Sequence, residues 1–237
     1  MSKIQNLSEP WAGHTFAEVQ NFIKENFKYS PACPQPEAVD LGLSSGTKWA
    51  DRNVGASAPE DFGLYFSWGN VDGHKAVQDG NDWVTEDGYI FDGVWDDDKS
   101  AWMGGNYGKT QGAALSADIV AGAKAYDAAA ANLGSPWKMP TNAQIEELIA
   151  GTTQSVTTRN GVSGMLFTSK TNSNSVFFPF SGYVGDGSVV HGVGSYGSFY
   201  SVGYDGDFAF YLYVDSYGNV SLFNGARCCG YPVRAVQ

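Results

Sequence analysis

Two short motifs resemble parts of catalytic sites, but each lacks something that its chemistry requires. Residues 42–46 (GLSSG) have the G-x-S-x-G spacing of a nucleophile elbow, yet no helical pattern follows them. The three histidines, His14, His74 and His191, show no partner spacing, and no Cys/His zinc pattern is present. Residues 104–110 (GGNYGKT) are one residue short of a phosphate-binding loop. We therefore expect a protein that is not an enzyme.

The segment 79–98 is the one stretch with the side chains of a metal site. It contains no basic residue and eight acidic ones: Asp79, Asp82, Glu86, Asp87, Asp92, Asp96, Asp97 and Asp98. Calcium prefers oxygen ligands of this type on a glycine-rich loop. The spacing does not fit an EF-hand, and acidic surface loops are commonly only solvated. The sequence therefore leaves two alternatives for this segment: a calcium site or a plain, solvated acidic loop.

Composition excludes several classes of function. The 237 residues carry a formal net charge of −11, which disfavours nucleic acid and anionic membranes as partners. Three cysteines, Cys33, Cys228 and Cys229, are too few for a disulfide scaffold, so we expect free thiols. No apolar run suits a signal peptide or a membrane span. We expect synthesis in the cytoplasm without membrane insertion; a role outside the cell would require particle assembly, lysis or dedicated export.

Residues 1–37 are predicted to be an appendage to a domain that spans 38–237. Thr15 and Glu18 form a capping box, and apolar residues follow at helical spacing: Phe16, Val19, Phe22, Ile23 and Phe27. Three prolines between 31 and 36 then indicate a stiff linker. The helix is too short to be stable alone. It docks either on its own domain or on a partner or further copies of the chain.

The pattern after residue 38 favours an α+β fold with two helices, short twisted strands and long irregular loops. Thr141 and Gln144 form a second capping box, which predicts a short helix. Asn160-Gly161 between two β-rich runs predicts a hairpin. An alanine-rich stretch predicts a helix over 116–132, and glycine and aspartate make 71–113 a predicted irregular region.

The last third of the chain has an unusual composition. Lys, Glu, Gln, Met and Trp occur 36 times in residues 1–170 and never in residues 171–236. These are the five amino acids whose codons never end in a pyrimidine. Sheets disfavour Lys and Glu, but that preference does not explain the loss of Trp, which favours strands. The composition therefore points to a constraint on the codons as well as on the fold.

Tyrosines dominate the same region. As a strand, 208–215 directs Phe208, Phe210, Leu212 and Val214 to one face, which we expect to be the core, and Ala209, Tyr211, Tyr213 and Asp215 to the other. Tyrosine offers large contact area at little conformational cost and, with Ser, Gly and Asn, dominates antibody paratopes. The region is either a binding surface of this kind or a tyrosine-rich structural sheet.

Several motifs over about 38–237 resemble C-type-lectin-fold domains of gut bacteria and their phages. They are 39–43 (VDLGL), 48–50 (KWA), 53–56 (NVGA), 63–69 (GLYFSWG), 137–141 (WKMPT), 167–169 (FTS), 175–179 (SVFFP) and 181–183 (SGY). The ending 227–236 (RCCGYPVRAV) is similar to the closing segment of variable proteins of diversity-generating retroelements. In those systems adenine-directed miscopying yields codons that end in a pyrimidine. The resemblance implies a C-type-lectin-like fold with a variable region at about 195–234.

The resemblance also implies which residues form a diversified, ligand-binding surface. They are Tyr200, Val202, Tyr204, Asp205, Asp207, Phe208, Tyr211, Tyr213, Asp215, Tyr217, Phe223, Asn224, Cys228, Cys229 and Tyr231. The family usually has Tyr-Trp-Ser-Ser where this chain has 199–202 (FYSV), so either Tyr200 and Val202 vary or the framework differs.

The implied role is a receptor-binding adhesin of a phage tail, located on the virion or otherwise outside the cell. Its partner would be a host cell-surface protein or glycan, and the N-terminal helix would contact other virion proteins or build a homotrimer. The Glu-Pro-Asn and Trp-Asn-Asp motifs of calcium-dependent sugar-binding lectins are absent, so the fold does not imply sugar binding. No cofactor is expected. The alternative is a fixed decoration or baseplate protein that uses the same face against another protein.

Overall fold

The computed structural model describes residues 34–91, 94–96, 101–103, 114–185 and 187–237. The predicted N-terminal helix, Cys33, His14 and the segment 104–110 lie outside these residues. Within them the fold is mixed, with two helices and many strands.

Helix α1 spans Ala128–Leu133 and helix α2 spans Asn142–Gly151. The strands are β1 (Ala38–Asp40), β2 (Lys48–Ala50), β3 (Leu64–Phe66), β4 (His74–Asp79), β5 (Asp82–Thr85), β6 (Val94–Asp96), β7 (Ala101–Met103), β8 (Thr152–Arg159), β9 (Val162–Ser169), β10 (Ser175–Pro179), β11 (Tyr183–Val184), β12 (Val189–His191), β13 (Tyr196–Asp205), β14 (Phe208–Asp215), β15 (Val220–Ala226) and β16 (Tyr231–Pro232).

The strands form five small sheets rather than one large one. The strand orders are β1-β2, β6-β7, β10-β9-β8, β13-β14-β15 and β11-β12-β5-β4-β3-β16, and the pairs within them are antiparallel. The C-terminal segment is joined to the first part of the domain, because β16 pairs with β3 and Val236 bridges to Trp49 of β2. The three-stranded sheet β13-β14-β15 carries most of the predicted binding residues.

Two local predictions are confirmed. Asn160 and Gly161 connect β8 to β9 with φ angles of 47° and 85°, the two positive values that a tight type I′ hairpin requires. Thr141 caps α2: its hydroxyl accepts from the Gln144 N–H, and the Gln144 side chain accepts from the Thr141 N–H. Both features depend on residues that are close together in the sequence, so tertiary packing does not change them.

Two other local predictions are wrong. The predicted helix over 116–132 begins only after Asp127, because the Asp127 carboxylate accepts from the N–H groups of Gly122, Ala130 and Met139 and so fixes a turn before the helix. Gly122, with φ of 88°, also interrupts the helical path. The predicted irregular region contains the hairpin β4-β5, whose turn at Gly80 has φ of 60°.

The sheet β13-β14-β15 is buried on one face by α2. Leu212 and Val214 of β14 pack there with Phe199 of β13 and with Ile145 and Leu148 of α2. The prediction that even-numbered residues of 208–215 face the core is therefore confirmed for Leu212 and Val214. Phe208 and Phe210 are only half-buried, because a register shift in β13 between residues 200 and 204 changes the packing at that end.

Candidate binding groove

The strand register brings aromatic residues from three strands to one face. Tyr211 of β14 lies between Tyr200 of β13 and Phe223 of β15, and Tyr213 lies between Ser198 and Ser221. Cross-strand neighbours on one face are about 5 Å apart, close enough for direct side-chain contact. This face is opposite the α2 face, and it forms one wall of a groove.

The groove has a volume of about 360 Å³. Tyr183, Gly185, Tyr196, Ser198, Phe208, Tyr211, Tyr213, Asn224, Gly225, Ala226, Cys229 and Tyr231 line it. None of these side chains carries a formal charge. Five tyrosines therefore give the groove ring surface and hydroxyl groups within a protein of strongly negative net charge.

The rings contact one another in a continuous array. The Tyr231 ring is centred 4.8 Å from Tyr211 and 5.7 Å from Tyr183, both edge-on. Tyr183 in turn lies 6.0 Å from Tyr196, which stacks on Tyr213 at 6.1 Å. Such contacts add about 0.5–1.5 kcal/mol each beyond their buried area. The array is therefore a rigid surface, which suits binding with little ordering cost.

Burial raises the pKa values of groove tyrosines further above neutral pH, at which a phenol is protonated in any case. Burial first, and then the neighbouring tyrosines, raise the pKa of Tyr196 to about 12. Burial first, and then Cys229 and the neighbouring tyrosines, raise the pKa of Tyr211 to about 12. Burial first, and then nearby thiol and phenol groups, also raise the pKa of Tyr231 well above its usual value. The groove at neutral pH is thus uncharged and presents hydroxyls. The Tyr196 hydroxyl makes no hydrogen bond to any residue of the described ranges, so it is open to a ligand.

The raised pKa values predict a loss of stability in alkali. Between pH 10 and 12 the unfolded chain loses tyrosine protons that the folded chain keeps, so the folded state binds more protons and the free energy of unfolding falls as pH rises. Each such tyrosine contributes a slope of up to about 1.4 kcal/mol per pH unit. Arg234, whose pKa burial lowers to about 9, has the opposite slope but is a single group. The tyrosines should therefore determine the sign of the overall dependence of stability on pH.

Urea unfolding at intervals from pH 9 to 12 measures this slope. Tyr196→Phe removes one titrating group and should make the slope less steep. Tyr217→Phe is the matched control, because it removes the same hydroxyl from a ring that is 91% exposed and does not line the groove. A free energy of unfolding that is flat or rising over this range would contradict the account.

The structure places the predicted site residues in three groups. Six line the groove: Phe208, Tyr211, Tyr213, Asn224, Cys229 and Tyr231. Five lie beside it or in nearby turns: Phe223, which is 50% exposed and contacts Tyr213 at 5.6 Å, and Tyr204, Asp205, Asp207 and Tyr217. Four are buried away from the groove: Tyr200, Val202, Asp215 and Cys228; Cys229 and Tyr231 are also buried, but they line it.

The four buried residues are corrections to the predicted surface. Tyr200 is completely buried and donates to the carbonyl of Cys229 at 2.9 Å, and Val202 and Cys228 lie in the same core cluster. The Asp215 carboxylate accepts from the N–H groups of Tyr217 and Asn219, so it holds the β14–β15 turn. In this arrangement none of the four can contact a large ligand. Two alternatives were open for 199–202: either Tyr200 and Val202 vary, or the framework differs from that of the family. Because both residues are buried, the structure favours the second.

The prediction missed six lining residues: Tyr183, Gly185, Tyr196, Ser198, Gly225 and Ala226. Tyr183 lies in β11, in a different sheet from Tyr211 and Tyr213. Tyr196 and Ser198 begin β13, and their alternation with Tyr200 was a readable signal, since residues two apart share a face. Gly182 positions Tyr183: its φ is 64°, and an added Cβ would lie 2.1 Å from the His191 carbonyl oxygen.

The other motifs form no catalytic arrangement in the described residues. The hydroxyls of Ser44 and Ser45 donate to Glu147, and neither bonds a histidine. His74 Nδ1 lies 2.8 Å from the Asp87 carboxylate. Within the described ranges no three of His, Cys, Asp and Glu are grouped as a metal site. Asp92, Asp97 and Asp98 lie outside those ranges, so calcium binding by the segment 79–98 stays a prediction.

A second cavity of about 390 Å³ is a weaker candidate. Phe62 and Trp83 form one wall, beside Glu60, Asp61 and Lys75. Its charged groups already have partners: Glu60 pairs with Arg159 at 3.2 Å, the Asp61 carboxylate accepts from two N–H groups of its own loop, and Lys75 lies 3.8 Å from Glu86. A ligand that uses these charged groups would have to displace their contacts, whereas the tyrosine groove is lined by side chains without a formal charge.

The two cysteines that the structure describes, Cys228 and Cys229, are both buried. No helix in the described part of the chain is long and apolar enough to cross a membrane. Comparison with known proteins gave no match to a family model, to a curated protein or to a solved structure.

Proposed function

We propose that this chain is a non-enzymatic recognition protein with a C-type-lectin-like domain, and that the tyrosine groove and its rim are a diversified binding surface. Every residue that lines the groove falls in the segment 171–236, which lacks the five amino acids whose codons never end in a pyrimidine. This coincidence of composition and location is the observation that carries the proposal. The role is that of a receptor-binding adhesin on a phage tail, or of another extracellular binder, that contacts a host cell-surface protein or glycan.

The arrangement of the sheet suits such a surface. The residues behind the groove wall, Leu212 and Val214, are buried against α2, so side chains on the wall can change while the framework stays packed. Binding sites of this type use tyrosine for contact area and small polar residues for adaptable hydrogen bonds. A rigid scaffold and several copies on one particle then give strong attachment from moderate affinity per copy.

A second candidate is a fixed structural protein of the virion. Tyr200, Val202 and Cys228 stand at positions that the family resemblance makes variable, yet they are buried in the core. Core positions tolerate little change in volume. That observation favours a face that is constant and meets one particular virion protein.

Binding of the fluorescently labelled full chain to a panel of intact gut bacterial strains separates the two candidates. A recognition protein should bind a subset of strains saturably, and excess unlabelled chain should compete. A structural protein should bind none of the strains but should bind purified tail particles that lack it. Binding to particles alone would overturn the proposal.

A further inference from the structure

We infer that the open edge of β15, beside the tyrosine groove, binds an extended segment of a partner protein as an added strand. The inference rests on the proposed function, and it assigns the partner's class: a polypeptide in extended conformation with apolar side chains at alternate positions and at least one basic residue. Three features of the edge support this partner: the direction of its main-chain groups, its composition and the charge at one end of it.

The ladder between β14 and β15 shows which main-chain groups point outward. The Asp215 N–H donates to the Asn219 carbonyl and the Arg227 N–H donates to the Asp207 carbonyl. Hydrogen-bonded and non-bonded pairs alternate along an antiparallel ladder. With this register the odd-numbered residues of β15 bond to β14, and the N–H and C=O groups of Leu222 and Asn224 point away from it.

These outward groups are unpaired within the described residues. β15 is the last strand of its sheet, and no hydrogen bond from any described residue reaches the main chain of Leu222 or Asn224. Exposed edges of this kind are templates for another strand, and proteins usually protect them with lysine, proline or a covering element. The segment 220–226 (VSLFNGA) contains neither charge nor proline. Nothing in its sequence protects the edge.

The groove explains how an added strand would gain specificity. Side chains of an added strand alternate between the two faces of the sheet. One set would lie on the face of Tyr213 and Phe223, the latter 50% exposed, and would reach the aromatic array. Main-chain hydrogen bonds then supply affinity, and the aromatic contacts select alternate apolar side chains.

Charge favours a basic partner over a second copy of this chain. Asp205 and Asp207 are exposed in the β13–β14 turn, and Asp205 accepts from the Asn224 side chain at the end of the edge. The whole chain has a net charge of −11, so two copies repel each other while a basic segment is attracted.

Selection of displayed random ten-residue peptides on the full chain tests the inference. Enriched peptides should have apolar residues at every second position and a lysine or arginine near one end. Asn224→Pro removes an outward N–H and places a ring on the edge, so it should weaken binding of an enriched peptide at least tenfold. Asn224→Ala also removes the groove-lining side chain but keeps the N–H, so it is the matched control, and Asn224→Pro should bind at least tenfold more weakly than Asn224→Ala. Both variants must melt as the parent does.

A measurement that changes the peptide and leaves the chain unchanged does not depend on whether a variant of the chain folds. An enriched peptide with N-methyl groups on alternate amides should lose binding, and the unmodified peptide should slow hydrogen exchange of the Leu222 and Asn224 amides. Enrichment without alternation, unchanged binding by Asn224→Pro, binding of glycans but of no peptide, or a dimer that Asn224→Pro dissociates would each overturn the inference. If Asn224→Pro still binds target cells and a variant of Tyr213 and Phe223 does not, the edge inference fails and the proposed function stands.

Discussion

A chain that carries both Tyr213→Ala and Phe223→Ala should bind its target cells about 100-fold more weakly than the parent chain. The two rings contact each other at 5.6 Å, and both are at least partly exposed on the groove wall. A few aromatic residues at the centre of an interface cost about 2 kcal/mol or more when truncated to alanine, and such costs are not additive for rings in contact, so the pair should cost about 2.7 kcal/mol, which is about 100-fold. Removal of both deletes the most accessible part of the aromatic array.

The same double variant should stay folded. Its rings lie on the groove side of the sheet, and the buried cluster behind that sheet consists of other residues, among them Leu212, Val214 and Phe199. Val156→Ala is the matched control, because Val156 is also an exposed large apolar side chain but lies on β8, away from the groove. Saturation binding of labelled chain to a strain that the parent binds measures the effect. Wild-type affinity in a folded double variant would mean that the groove is not the binding surface.

Arg234→Ala should lower the free energy of unfolding by about 4 kcal/mol, the largest stability effect that the structure indicates. The Arg234 side chain is completely buried. Its guanidinium donates to Asn53 Oδ1 at 2.8 Å, to the Ala50 carbonyl at 3.1 Å and to the Phe177 carbonyl at 2.9 Å. Truncation would leave three buried acceptors without a donor and open a large cavity.

Arg234 should stabilise the fold through the geometry of its hydrogen bonds and not through its charge. None of its three acceptors carries a charge, and the guanidinium lies 4.3 Å from the centre of the Phe178 ring. Burial lowers its pKa to about 9. Arg234→Lys keeps the charge but cannot reach three acceptors with a planar fork, so it should lose most of the same stability.

Arg159→Ala is the control for Arg234, because Arg159 is half-exposed and pairs only at the surface with Glu60; it should cost less than about 1 kcal/mol. Urea unfolding at pH 7 measures each variant. Above pH 9 the unfolded chain binds one proton more than the folded chain at Arg234, so this residue opposes the alkaline loss of stability. Arg234→Met should therefore lose stability more steeply in alkali. Equal stabilities of Arg234→Ala and Arg159→Ala would contradict the account.

Structural features that depend on neighbouring residues could be predicted from the sequence, and features that depend on contacts between distant residues could not. The hairpin at Asn160-Gly161 and the cap at Thr141 depend on residues within a few positions, and both were predicted correctly. The helix over 116–132 was not, because its start depends on Asp127, whose carboxylate also accepts from the distant Met139 N–H. Composition alone cannot reveal that contact.

The groove could be predicted in part. Alternation along 208–215 assigned Tyr211 and Tyr213 to one face, and the structure places both on the groove wall. By register Tyr200 lies on the same face, but Tyr231 covers it, with the two ring centres 4.5 Å apart. Strand periodicity therefore predicted the direction of the Tyr200 side chain but could not predict its burial. Tyr183 comes from another sheet and requires the tertiary fold. The burial of Arg234 likewise requires the tertiary fold, because its three acceptors belong to Asn53, Ala50 and Phe177, all distant in sequence.

The most direct test of a diversified binding surface is to sequence this gene and its flanking DNA from many cells of one culture. The account predicts a near-copy of the 3′ end with adenines at variable codons, an adjacent reverse transcriptase, and substitutions concentrated at groove and rim positions such as Tyr211, Tyr213, Phe223 and Asn224. The codons of the buried Leu212 and Val214 should stay constant. A gene without a repeat, with an invariant tyrosine face in every cell, would contradict diversification and leave a fixed protein–protein interface.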